Sequence, residues 1–167
     1  MNDFYSSKVI EIIKQIQYAT LASVSSNGDP YNAPVYTAYD KDMVFYWSSS
    51  VESQHSQNIA ENGKVYMVIY DSTVPQGTGW GVYIRAEATE VVVPKEAERA
   101  LGLLGDRRGR IFDKKITDVI EGGHRVYKAT PKALWINDAE QDANGEFVKD
   151  YRAVVDLGKI TEKLFKA

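Results

Sequence analysis

Apolar positions along the chain change period several times, and each change predicts a new element. Val9, Ile12, Ile13 and Ile16 recur at i, i+3, i+4 and i+7, one face of an amphipathic helix expected to plug a core. Ser6 or Ser7 could cap it. From residue 18 the period falls to two, and 18–25, YATLASVS, reads as a strand. Asn27-Gly28 is a hairpin signal, because both central turn positions tolerate positive φ. Residues 31–39 read as one long returning strand. Tyr31, Ala33, Val35, Thr37 and Tyr39 share one face, and Asn32, Pro34, Tyr36 and Ala38 the other. Pro34 has no amide to donate, so it marks an edge, a bulge or a place where the sheet opens. A tight turn at Asp40-Lys41-Asp42 leads into a strand ending at Tyr46-Trp47. Ser48, Ser49, Ser50, Ser53 and Ser56 then introduce a short helix that Asn62-Gly63 stops.

Residues 64–71, KVYMVIYD, form another strand, rich in β-branched and aromatic side chains. The loop 72–81 contains a G-x-G, but the strand GVYIRAEATEVVV follows it instead of a helix, which rules out a dinucleotide fingerprint. Pro94 starts a helix over 94–104, and KKITDVIEGG (114–123) reads as a second, closed by glycines. Residues 124–138 and 146–157 are two further strands joined by a polar turn. A terminal helix over 157–167 places Ile160 and Leu164 on one face. Six or seven strands with short links predict one mainly β (α+β) domain over residues 1–167. Its expected form is a small antiparallel barrel with peripheral helices.

Composition narrows the function classes. A chain of 167 residues, 44% apolar, can bury a sizeable core in one domain. A net charge of −3 argues against a nucleic-acid partner. With no cysteine there is no thiolate nucleophile and no Cys-based metal site, which suits a reducing cytoplasm. No apolar run approaches the roughly 20 residues that span a bilayer, and MNDFYSSKV lacks a signal-peptide pattern. A cytoplasmic protein without membrane contact is expected. His55 and His124 stand outside any metal-ligand spacing, and no G-x-S-x-G nucleophile turn occurs. Eleven tyrosines and three tryptophans suit flat ligand sites and subunit interfaces, or simply strands. The one dense basic run is Asp106-Arg107-Arg108-Gly109-Arg110, ordinarily a solvated loop and otherwise an anion site.

The sharpest chemistry lies at the Ser-rich junction. A helix start offers unpaired amides and a partial positive charge, and hydroxyls beside it complete a phosphate site. A Ser-rich turn with an ordinary N-cap is the plainer alternative. The ordered set ATLASVSSNGDPYNAPVYTAYDKDMVFYWSSSVESQHSQNIAENGKVYMVIYD, followed by GVYIRAEATEV, bears on the choice. It resembles the pyridoxamine 5′-phosphate oxidase-like FMN-binding split barrels. The shared pattern runs from a strand L-A-S/T-V and a turn S-x-G-x-P, through x-x-P-V and F-Y-x-S/T, to S-x-x-x-x-N-I. The resemblance implies a six- to seven-stranded antiparallel split β-barrel that pairs as a homodimer, with FMN in grooves between the two copies. It implies that Asn32, Pro34, Val35, Tyr36 and Thr37 run along the isoalloxazine and ribityl chain. Tyr46, Trp47, Ser48 and Ser49 would flank the ribityl-phosphate, and Ser53, Gln54 and His55 would close on the phosphate. Tyr36, Tyr66, Tyr83 and Trp135 are candidates for the surface between copies. Oxidases of the family usually carry Arg or Lys at the positions of Asn32, Thr37, Gln54 and His55, and this chain does not. His55 is then the titratable cation candidate of segment 42–63. The implied function is an FMN-dependent oxidoreductase acting on a small molecule. The alternative is a non-catalytic binder of a flavin, deazaflavin or haem.

Overall fold

The computed structural model describes residues 2–109, 119 and 122–165. In chain order the elements are α1 (Asn2–Gln15), β1 (Tyr18–Val24), β2 (Pro30–Tyr36), β3 (Ala38–Tyr39) and β4 (Phe45–Ser50). Then come α2 (Gln54–Glu61), β5 (Lys64–Tyr70), β6 (Gly81–Glu90) and α3 (Pro94–Arg108). The chain continues through β7 (His124–Gln141), β8 (Phe147–Val155) and α4 (Leu157–Phe165). All pairings are antiparallel, in the order β2-β1-β5-β6-β7-β4-β3, with β8 also on β7.

The expected long strand 31–39 is two strands. The break falls at Thr37, whose amide donates to the Gln17 carbonyl at 2.9 Å and so leaves the ladder. β2 before the break pairs with β1, and β3 after it pairs with β4. One bent segment therefore joins the two ends of the sheet, which curls into a barrel without closing. Among the described residues this split barrel has eight strands, one more than the seven segments read as strands, because of that break. β4 also outruns its expected end at Tyr46-Trp47. Ser48, Ser49 and Ser50 remain extended because β7 offers them ladder partners in Val126, Arg125 and His124.

α3 runs past 104 and takes in Asp106, Arg107 and Arg108, ending at Gly109 in the left-handed conformation (φ 65°) that glycine tolerates best. The expected helix 114–123 lies outside the described residues except at 119 and 122–123, as does Arg110.

Alternation sorts the core. Leu21, Phe45, Trp47, Met67, Ile84 and Ile136 fill the barrel, with Val9 and Ile13 of α1 and Ile59 of α2 packed on them. A second cluster covers the outside of β4 and β7, where Tyr46 and Val126 meet Ala97, Ala100, Leu101 and Leu104 of α3. With both faces of β4 covered, Phe45, Tyr46 and Trp47 are buried in succession. Elsewhere the outer face stays partly open: Tyr66, Val68, Tyr83 and Trp135 are half-buried, and Val154 is 71% exposed.

Candidate functional site

The inward face of β4 carries Phe45, Trp47 and, at the end of the strand, Ser49. Where the barrel ends, α2 crosses the mouth. Asn58 of α2 donates to Ser23 Oγ of β1 at 3.0 Å, which holds the helix in place. His55 Nε2 lies 2.8 Å from Ser49 Oγ and 3.2 Å from Ser53 Oγ. Ser53 is the N-cap residue, yet its hydroxyl makes no cap bond. It lies instead 2.8 Å from the Ser50 carbonyl and 2.8 Å from Ser56 Oγ. Among the described residues no side chain caps the start of α2, so its first-turn amides keep the donor character of a helix start. Burial holds the His55 imidazole below its ordinary pKa, so the neutral form is favoured. Burial likewise raises the Tyr127 phenol, while a hydrogen bond with Ser56 opposes the rise.

Three candidates thus converge at this mouth: Ser49, Ser53 and His55. Gln54 is exposed beside them and donates to Asn58 Oδ1 at 2.9 Å. Ser48 points to the opposite face of β4, the side of Val126. Tyr46 and Trp47 lie elsewhere. The Tyr46 hydroxyl donates to Asp40 at 3.1 Å and accepts from Arg99 at 2.6 Å beneath α3; burial and the Asp40 carboxylate raise its pKa, and the Arg99 charge opposes the rise. Trp47 is fully buried in the barrel, stacked on Tyr127 at 5.8 Å, with Nε1 unpartnered. Neither offers surface to a ligand in this arrangement.

Of the strand 31–39 candidates, Asn32 and Pro34 are exposed on β2, which pairs on one side only. Pro34 opposes Thr20, and with Tyr18, Val68 and Tyr70 it lines a groove of about 330 Å³. Val35 and Thr37 are buried. Tyr36 sits under the Arg108 guanidinium at 4.4 Å, edge-on to Tyr18 at 5.5 Å. The loop 72–80 is tied down at its end: Asn137 donates to the Gly79 carbonyl at 3.1 Å and accepts from the Gly81 amide, and Trp80 meets Phe4 at 5.8 Å.

Two arginines take roles that the sequence reading did not assign them. Arg107, from the basic run, donates to the carbonyls of Ile13 (2.5 Å) and Ile16 (2.8 Å), capping the end of α1. Arg125 stands directly across the ladder from Ser49 and pairs with Glu90 at 3.0 Å. The first could have been suspected only from helix packing, the second only from strand register.

Residues 6–138 match the sequence pattern of the pyridoxamine 5′-phosphate oxidase family. The chain belongs to that family. Among solved structures it is similar to a Bacteroides thetaiotaomicron protein assigned to 5-nitroimidazole antibiotic resistance, with 17% identity and a TM-score of 0.66 over 78% of this chain and 81% of that one. It is similar to HutZ, the haem storage protein of Vibrio cholerae, with 17% identity and a TM-score of 0.64 over 77% and 91%. An F420 reductase aligns with 20% identity and a TM-score of 0.56 over 74% and 93%. These likenesses are of fold. The chain spans 33% of a curated relative it matches at 25% identity over 129 residues, the UDP-N-acetylglucosamine–N-acetylmuramyl-(pentapeptide) pyrophosphoryl-undecaprenol N-acetylglucosamine transferase of Aquifex aeolicus; 75% of this chain is covered.

Proposed function

We propose that this chain is an FMN-binding flavoprotein, a homodimeric oxidoreductase moving electrons between a reduced nicotinamide and a small acceptor in the cytoplasm. The observation that carries the reading is the meeting of Ser49, Ser53 and His55 at the uncapped start of α2, in a family member. Hydroxyls, an imidazole and free amides are a donor set that fits a phosphate. The groove beside Pro34, walled by Tyr18 and Tyr70, suits a flat ring. Bound flavin supplies the hydride chemistry itself. The chain's residues hold its tail, shield its ring and set the charge around it.

A second reading, a binder that stores or senses a flavin, deazaflavin or haem without turnover, is favoured by the neutral residues at 32, 37 and 54. They leave the phosphate without the charge-assisted bonds that roughly double the strength of a neutral one. The relatives that store haem or reduce F420 support the same breadth of ligand. A visible spectrum of the purified protein separates flavin from haem. Oxidation of reduced nicotinamide by the FMN-loaded protein separates enzyme from binder: steady turnover with an added electron acceptor is expected, and none would leave the second reading.

A further inference from the structure

Directly opposed side chains of an antiparallel pair share one face. Across β4 and β7, Trp47 opposes Tyr127 and Ser49 opposes Arg125. Across β6 and β7, Glu90 opposes Tyr127. Trp47 and Tyr127 both belong to the barrel interior, so this is the inward face. At its end it meets α2, as the contact of Ser49 with His55 shows. Arg125 and Glu90 therefore stand in the same mouth as the hydroxyl and imidazole cluster. The Arg125 side chain is only 18% exposed, and its Nε is 3.0 Å from Glu90 Oε1. Among the described residues Nη1 makes one long contact, 3.4 Å to the His124 carbonyl. A guanidinium carries five donors in a rigid fork, so one carboxylate on Nε leaves most of the fork for another acceptor.

We propose that Arg125 is the residue that makes this site specific for a phosphate tail, and that Glu90 holds it in reserve. The inference rests on the flavin reading above. In the free protein Glu90 offsets a guanidinium that is largely withdrawn from water, a charge costly to leave alone there. A phosphate dianion at the Ser49 and His55 cluster then competes with Glu90 for the same fork. The neighbouring hydroxyls recognise oxygen atoms; Arg125 supplies the charge that no residue of segment 42–63 carries permanently. Glu90 consequently weakens phosphate capture while keeping the empty site balanced.

The test is a titration of FMN and riboflavin, followed by flavin fluorescence, into the wild-type chain and the variants Arg125→Gln, Arg125→Lys and Glu90→Gln, with thermal melts of each. Arg125→Gln is expected to weaken FMN about tenfold or more, the scale of a lost hydrogen bond to a charged group, and to leave riboflavin unchanged. Arg125→Lys should restore part of the loss. Glu90→Gln should tighten FMN several-fold without touching riboflavin. FMN bound equally well by Arg125→Gln and wild type, in a protein that prefers FMN to riboflavin, would overturn the role of Arg125 and leave the flavin reading intact. Should Arg125→Gln fail to fold, Glu90→Gln decides: FMN affinity unchanged or lowered overturns the competition. A wild-type chain that binds neither flavin removes the reading and this inference together.

Discussion

At His55 the free protein and a phosphate complex ask for opposite charge states. Burial favours the neutral imidazole, while a dianion within reach favours the imidazolium. A folded pKa below the unfolded value of about 6.5 means that the unfolded chain takes up the proton first. The stability associated with neutral His55 is thus complete above about pH 6.5 and is lost as pH falls toward the lowered folded value. Melting temperatures of the free protein between pH 7 and 5 should fall less steeply in His55→Gln than in wild type; identical slopes would mean that His55 is not desolvated. FMN binding should run the other way, weakening from pH 6 to 8 as the imidazolium disappears, with the dependence flattened in His55→Ala. Ser49, Ser53 and His55 were legible in the sequence because they are close along one strand and helix. Arg125 was not, since only the register of β4 on β7 brings it to Ser49.

Among the elements, the strands were legible wherever one face is buried: Ala19, Leu21 and Ser23, or Val65, Met67 and Ile69, alternate as a half-buried sheet should. The break at Thr37 was not, because it depends on a hydrogen bond from Thr37 to Gln17 across the chain. The turn expected at Asp40-Lys41-Asp42 is present, while the contacts that hold it were not legible. There the buried Asp40 carboxylate accepts from the amides of Asp42 and Val44, both at 3.0 Å, and Met43 adopts φ 60°. The basic run is a structural device at Arg107, whose guanidinium also lies over the Tyr39 ring at 5.2 Å. Replacing it by Met should remove two charge-assisted bonds to α1 and cost about 2–3 kcal/mol in urea unfolding. A loss under about 0.5 kcal/mol would show that water caps α1 equally well.

For the whole molecule, the open outer face governs what the barrel does next. Tyr66 stacks with Trp135 at 6.3 Å, Arg85 lies over Trp135 at 5.9 Å, and Arg152 covers Tyr83 at 4.1 Å. An aromatic and arginine surface on a sheet has the composition of an interface core. Tyr36 does not join it, being covered by Arg108. A homodimer through this face predicts twice the monomer mass in light scattering, and Trp135→Glu should shift the species to monomer. A wild-type monomer at micromolar concentration would remove the dimer. The central claim, a flat ligand held by its anionic tail, is tested most directly by calorimetric titration of FMN and riboflavin side by side at pH 7. The account predicts that FMN binds at least about tenfold more tightly, the worth of one charge-assisted bond. Riboflavin binding as tightly as FMN would contradict it.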